Sequence, residues 1–353
     1  MKVAVVLPRG MNFSAVGATS IDLVTRDLIE NSSYKANCLV IGEAVPDPFK
    51  ALNFKGIEAK SQKQFDRQCI KALKEFEPKV IVVHQYPETA NTIAKSFEGT
   101  KVVLYRHGLL KKRSGKIDRF FKGLVFKHLS HIVFVSEFIR QQFLEDYPSL
   151  TGRTLVINNA VDVEFWRPAE IKSNTAVYVG RCRRDKGIFE LVEGFKKVEI
   201  SGWKLQLVVA VQTDEEKALF KILSQAVEGE PSISISKNLS SDAVRDVLAE
   251  AKIAVLPSIV REGFPRAVVE AMACGCAVIA TNRGGTPEAA GDCAILLDEP
   301  TPSVIAKALQ ELSANEAHLA ELAEAGRERI ATKLRIQTIA KDYDQFLAEL
   351  AGV

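Results

Sequence analysis

The densest run of reactive side chains lies in the second half of the chain, where residues 255–281 read V-L-P-S-I-V-R-E-G-F-P-R-A-V-V-E-A-M-A-C-G-C-A-V-I-A-T. The pattern predicts a buried strand ending at Pro257 and Ser258, a loop carrying Glu262 and Gly263, a helix over 265–273, and a further strand after a stop at Gly275. Pro265 suits the first turn of that helix, where its missing N–H costs nothing. Free N–H groups and the dipole at such a helix start favour phosphate. Gly263 lets a ligand approach the backbone without a Cβ in the way. Glu262 and Glu270 can accept hydrogen bonds from hydroxyls at the two ends of an extended ligand. Spacing alone fits equally well a solvated loop residue at 262 and a surface helix residue at 270.

A second cluster, Y-V-G-R-C-R-R-D-K-G over 178–187, follows another predicted strand. Gly180 permits a sharp exit, and Arg181 and Lys186 then project from a loop at the sheet's carboxyl edge. Arg offers a planar fork and Lys a point charge, which together can neutralise a diphosphate. The bland alternative is a basic loop capping the next helix. In the first half, His107 follows a predicted strand in V-V-L-Y-R-H-G, and His84 follows another in V-V-H-Q. A lone histidine is more often structural than functional. His107 is retained as a candidate and His84 as a possible acceptor-side residue, whereas His128, His131 and His318 are read as structural.

The elements that must position these groups form two α/β halves. Apolar runs of four to six residues recur at 3–7, 37–41, 80–84, 101–105 and 131–135, with helical patterns at 19–29, 61–76 and 87–97. After 168 the alternation repeats, with strands at 176–179, 205–211, 232–236, 253–257, 277–280 and 294–297. Helices are expected near 187–198, 214–227, 241–250, 265–273, 302–313 and 315–330, with a last one over 336–350. Strands alternating with helices predict parallel sheets. Two domains follow: 1–167, rejoined by the C-terminal helix at about 336–353, and 168–335. Ligands of such sheets bind beyond the strand carboxyl ends, so the expectation is two doubly wound Rossmann-like domains facing a central cleft.

Composition narrows the classes. The 353 residues are 47% hydrophobic and 26% charged, which excludes a disordered chain. No stretch approaches the roughly 18 apolar residues of a membrane span, and M-K-V-A-V-V-L-P-R-G has too short an apolar run for a secretory signal. A cytoplasmic protein, peripheral on the inner face of the cytoplasmic membrane at most, is expected. None of the six cysteines is spaced C-x-x-C, so neither zinc nor disulfides are expected, and Cys274 and Cys276 read as small buried residues around a helix stop. Residues 1–168 hold 25 Lys/Arg against 17 Asp/Glu, whereas 169–353 hold 22 against 27. The first half is thus suited to a negatively charged partner.

The residues carry a family resemblance. Glu262-Gly263-Phe264-Pro265 with Glu270 resembles the E-G-F-P-x-x-x-x-E signature of the retaining glycosyltransferases of family 4. Gly180-Arg181 with Lys186-Gly187 is similar to that family's G-R-x-x-x-x-K-G segment. Pro257-Ser258 and Gly284-Gly285 also fit, so the likeness runs over most of 176–300. Asn158–Asp162, N-N-A-V-D, matches the N-G-V-D linker with Ala160 where Gly is usual. The first loop has one glycine, Gly17, where the family tends to have a pair.

The resemblance implies a GT-B fold and transfer of a hexose-type sugar from a nucleotide donor, UDP- or GDP-linked, with retained anomeric configuration. It implies that Glu270 binds the ribose hydroxyls, and that Glu262 with the backbone of Gly263, Phe264 and Pro265 holds the donor sugar. Arg181 and Lys186 would hold the diphosphate, with Gly17 approaching it. Lys237, Asn238 and Leu239 would grip the base, largely by backbone, and His107 would contact the sugar near the reacting carbon. The expected acceptor is a saccharide or glycolipid, as in bacterial lipopolysaccharide or surface-polysaccharide synthesis. This fold class normally needs no divalent ion, so no cofactor and no metal is expected.

Residues 106–131 hold eight Lys/Arg against one acid, Asp118. Ile117, Phe120, Phe121, Leu124 and Val125 fall on one helical face. This suits an anionic membrane surface or a phosphorylated lipid acceptor, or simply a helix packed on its own domain. Nucleic acid is a poorer fit, since no recognised module is present. Two other readings stay open: a hydrolysing sugar-nucleotide epimerase, and a non-catalytic nucleotide-sugar-binding module. A nicotinamide dehydrogenase is disfavoured, because no G-x-G-x-x-G follows the first strand.

Overall fold

A computed structural model describes residues 1–110, 115, 122–198 and 200–353. The chain divides into two compact units, Met1–Asn159 with Ile336–Val353, and Ala160–Arg335.

In the first unit the strands are β1 (Val3–Val6), β2 (Cys38–Glu43), β3 (Phe54–Ile57), β4 (Val80–His84), β5 (Lys101–Arg106), β6 (His131–Phe134) and β7 (Thr154–Val156). They form one sheet in the order β3-β2-β1-β4-β5-β6-β7, every neighbouring pair parallel. Strands β1 and β4 are buried throughout, as a parallel sheet covered on both faces requires. The second unit holds β8 (Ser173–Arg181), β9 (Lys204–Ala210), β10 (Ile233–Lys237), β11 (Ala251–Leu256), β12 (Ala277–Thr281) and β13 (Ala294–Leu297). Its sheet is also parallel, in the order β10-β9-β8-β11-β12-β13. Each sheet reverses its strand order once, between β1 and β4 and between β8 and β11. The two α/β halves expected from the alternating pattern are therefore Rossmann-like domains.

Local chemistry accounts for most element ends. Ser61, Ser136, Ser240 and Thr301 each accept a backbone N–H of the helix they precede. Cys274 and Cys276 are fully buried around Gly275, whose φ of 68° ends the helix Arg266–Ala273. Pro265 differs from expectation: with φ −71° and ψ 114° it is the cap preceding the helix rather than its first residue. The boundary between units falls earlier than 167/168, because Val161 pairs with Arg335 and donates to the Leu334 carbonyl at 3.1 Å. Residues 160–167 are thereby tied to the second unit. The helix Ile336–Ala351 packs on the helix Ser20–Glu30 and on β4. It buries Tyr343 and Leu347, and its Asp344 accepts from Ser32 Oγ at 2.5 Å and Ser33 N at 2.6 Å.

Strand β3 and the helix Glu137–Asp146 were not anticipated. The strand is four residues, F-K-G-I, at a sheet edge, with only Ile57 buried. The helix buries only Ile139 and Phe143. Neither has enough apolar periodicity to stand out. Among the described residues no helix is long and apolar enough to cross a membrane.

One glycine closes the centre of the second unit. Gly187 has φ 69°, and a Cβ there would lie 2.0 Å from the Pro257 carbonyl oxygen. Gly187→Ala is expected to cost at least about 2 kcal/mol, from left-handed strain plus the clash. Gly202→Ala, at φ 76° with nothing within 4 Å, should cost only about 1 kcal/mol. Urea denaturation of the two variants checks the ranking.

Candidate functional site

The second unit gathers its polar groups where β8 and β11 diverge. Loops leaving the carboxyl ends of these strands are laced together. The Asp185 carbonyl accepts from Ile259 N at 2.9 Å and Val260 N at 3.3 Å. Lys186 Nζ donates to Glu262 Oε1, which also accepts from Ser258 Oγ at 2.9 Å. The end of β12 and the loop after it also bond to this segment. Gly285 N donates to the Glu262 carbonyl at 2.8 Å, and Thr281 Oγ1 donates to the Ser258 carbonyl at 2.7 Å. A Cβ on Gly284 would stand 2.4 Å from the Glu262 carbonyl oxygen, so glycine is required there.

Arg181 is held side-on. Its Nε donates to Glu216 Oε1 at 2.6 Å, while the other oxygen of Glu216 accepts from Gln212 N at 2.8 Å and Thr213 N at 3.1 Å. Glu216 is 2% exposed and Arg181 40%. Burial opposes ionisation of Glu216, but the bonds from Arg181, Gln212 and Thr213 outweigh it and hold its carboxyl below the usual range. Pairing through Nε orients the guanidinium while its fork end reaches towards solvent. Glu216 is not among the expected site residues. Its signal was the capping box Thr213-x-x-Glu216 that opens the helix Asp214–Ala226.

Glu270 is no surface residue. It is buried, and its Oε1 accepts from Arg266 Nε at 3.0 Å, one helical turn earlier. Phe264 is buried beside this helix start. At the end of β10, Asn238 has φ 53° and spends its side chain on Val211, accepting its N–H at 2.8 Å and donating to its carbonyl at 3.2 Å. Lys237 lies with its ammonium 5.1 Å from the Phe220 ring centre. Arg181 thus ends β8, Lys186, Glu262 and Gly263 lie in facing loops around the β8/β11 divergence, Glu270 lies on the helix that follows, and the 237–239 segment beyond β9.

The first unit repeats the placement. Gly17, with φ 77°, lies in the loop after β1, and His84 ends β4, so both adjoin the β1/β4 divergence. His107 follows β5. His84 Nδ1 and His107 Nε2 are 2.9 Å apart; the His107 ring stacks on Tyr105 and the His84 ring lies tilted against it. His84 is 2% exposed, which removes it as a contact for an acceptor. The turn at His107 is anchored by Gln85, whose Oε1 accepts from His107 N at 3.1 Å. Arg106 donates to the carbonyls of Gln85, Gly108 and Leu109. Gln85 itself holds a left-handed φ of 69°.

Arg106 corrects one expectation. Counted among the cations of 106–131, it is 4% exposed and spent on carbonyls of its own loop and of Gln85. Residues 111–114 and 116–121, with most of that basic run and Ile117, Phe120 and Phe121, lie outside the described residues. Leu124 is exposed in a short 3-10 turn, Leu124–Phe126.

Burial pushes the His84 imidazole down to about 3. Burial, then His84, then Arg106 lower His107 well below the usual histidine value. Unfolded histidine titrates near 6.5, so as pH falls the unfolded chain takes up protons first. The stability tied to neutral His84 is therefore complete above about pH 6.5 and is lost as pH drops towards the folded value. His84→Phe should flatten the wild-type stability curve between about pH 6.5 and 4. Urea titrations at stepped pH would show this; parallel curves for the two proteins would contradict it.

Two family patterns cover most of the chain: Glycosyltransferase Family 4 over residues 30–165 and Glycosyl transferases group 1 over 163–329. The chain is similar to alpha-maltose-1-phosphate synthase of Mycolicibacterium smegmatis, at 27% identity over 70% of this chain and 73% of that protein. The match to the Mycobacterium tuberculosis proteins of that name spans about half of their length, 52%. A second relative is the lipopolysaccharide 1,2-N-acetylglucosaminetransferase of Salmonella typhimurium, at 25% identity over 76% of this chain and 72% of that one. In fold the chain resembles HepE of Anabaena, solved in complex with UDP, with a TM-score of 0.82, 16% identity, and 99% and 100% of the two chains covered.

Proposed function

Because the chain belongs to the glycosyltransferases of family 4, with GT-B-type domains, we propose that it transfers a hexose-type sugar from a nucleotide-sugar donor to a saccharide or lipid-linked acceptor, retaining the anomeric configuration. The observation that carries this reading is the convergence of Arg181, Lys186 and Glu262 on the β8/β11 divergence, where open α/β sheets bind their ligands.

In this reading Arg181 and Lys186 take the donor's diphosphate, and Gly17 approaches it. Glu262 exchanges its bond to Lys186 for hydroxyls of the donor sugar, aided by the backbone of Gly263, Phe264 and Pro265. Glu270, held by Arg266, accepts from the ribose hydroxyls, and the backbone at Lys237, Asn238 and Leu239 meets the base. The bond between the anomeric carbon and the phosphate oxygen breaks, and its electron pair leaves with the diphosphate. Cations already in place stabilise that charge without reorganisation, commonly the largest single contribution in such sites. The acceptor oxygen attacks from the same face, and its proton passes to the departing phosphate. His107 contacts the sugar beside the reacting carbon. No metal step is needed in this scheme.

UDP is favoured as the nucleotide by the HepE complex, with GDP the alternative. A place in lipopolysaccharide or surface-polysaccharide synthesis is favoured by the Salmonella relative. The basic run 106–131, less Arg106, suits a phosphorylated lipid acceptor at an anionic membrane surface.

A thermal-shift panel of UDP, GDP, ADP and their hexoses should show one base raising stability by mass action. With that donor, NMR of the product should show the donor's anomeric configuration, turnover should require acceptor, and chelator should leave the rate unchanged. Acceptor-independent donor hydrolysis with epimerisation would identify an epimerase instead. Tight nucleotide binding without turnover would identify a binding module. Lys186→Met should lower turnover by about 100-fold or more. Replacing Lys111, Lys112 and Arg113 by Glu should abolish binding to anionic liposomes and leave donor binding intact; unchanged liposome binding would remove the membrane contact.

A further inference from the structure

The pair formed by His84 and His107 has a consequence for the chemistry of the first unit. Two neutral imidazoles joined through one nitrogen each need one N–H donor and one bare acceptor. The 2.9 Å separation between His84 Nδ1 and His107 Nε2 is a hydrogen bond of ordinary length. Neither ring can turn freely. His107 stacks on Tyr105 with ring centres 4.8 Å apart, and His84 lies tilted against the same ring at 5.1 Å. Tyr105 is itself fixed, its hydroxyl donating to the Ile157 carbonyl at 2.9 Å. The backbone at His107 is held by Gln85 and Arg106.

We propose that His84 is a positioning residue that fixes the tautomer and ring orientation of His107, so that a single, defined nitrogen of His107 is presented to the donor sugar. His84 is too deeply buried to meet a substrate itself; besides His107 and the Tyr105 ring it meets Thr25, whose Oγ1 lies 3.5 Å from Nδ1. Burial disfavours the charged form of His84, and burial, then His84, then the Arg106 guanidinium disfavour that of His107, so both rings are held neutral. An orienting partner behind a reactive imidazole matters because the wrong tautomer offers an acceptor where a donor is needed. The catalytic consequence rests on the reading that His107 contacts the donor; the tautomer itself does not.

The test uses the full chain labelled with 15N-histidine. Wild-type His107 should show one dominant neutral tautomer. His84→Phe keeps a ring against Tyr105 but removes the bond, and should convert His107 to a mixture of tautomers. With the UDP- or GDP-hexose selected by thermal shift, its turnover should fall on the order of tenfold at nearly unchanged KM. His84→Asn, whose side-chain amide sits near the position of Nδ1, should restore the single tautomer and most of the rate. Two tautomers of His107 in the wild-type protein, or a tautomer unaltered in both variants, would overturn the proposal even if the protein proves a transferase. A tautomer change with untouched turnover would overturn the positioning role. The NMR measurement needs no donor, so absence of any transferase activity in the wild type would count against the proposed function and leave the tautomer result standing.

Discussion

The second unit depends on one constraint, the direct contact of the loops that leave β8 and β11. Parallel strands on either side of a divergence leave a gap at their carboxyl ends. Here the gap is partly closed from below by main chain: the Asp185 carbonyl takes two amides of the opposite loop, and Gly187 abuts the Pro257 carbonyl. Only a residue without a Cβ tolerates that approach. The reactive side chains, Lys186 and Glu262, are the next groups out from this junction. Their mutual contact follows from the backbone lacing rather than creating it.

Charge is handled differently in the two units. In the second, opposite charges are paired and partly solvated: Lys186 with Glu262, and Arg181 with Glu216. Each pair holds its side chain in one orientation: Glu216 is buried behind a half-exposed Arg181, and Lys186 and Glu262 are both partly buried. In the first unit the corresponding edge carries no such pairing at His84 and His107. Burial keeps both rings neutral, and orientation comes from contact with Tyr105 and the hydrogen bond between the two histidines. One edge is therefore suited to gripping phosphate, the other to placing a neutral donor or acceptor.

Much of this was legible in the sequence. Strand β4 and the helix Ser241–Glu250 fall where the apolar pattern places them, because buried parallel strands are short apolar runs and amphipathic helices have a clear stripe. The loop motifs at 180–187 and 257–263 were visible because glycine and proline mark tight backbone. What the sequence did not disclose are partners distant along the chain. Glu216 lies 35 residues from Arg181, and His84 lies 23 from His107. Each pair is brought together only by the sheet order. Burial of Arg106 was hidden for a related reason: three backbone carbonyls hold its terminal nitrogens, and carbonyls leave no mark in composition.

The split of the first unit bears on how the chain is made. Its sheet is complete by residue 156, yet Tyr343, Asp344 and Leu347 come from the helix Ile336–Ala351. During synthesis the early strands must wait for this last helix to emerge. The second unit, contiguous from Ala160 to Arg335, can close as soon as it leaves the ribosome. The nascent N-terminal portion thus carries an uncovered apolar face, beside β4 and the helix Ser20–Glu30, until residues 336–351 have been made. That face is where a chaperone would find its longest-lived target.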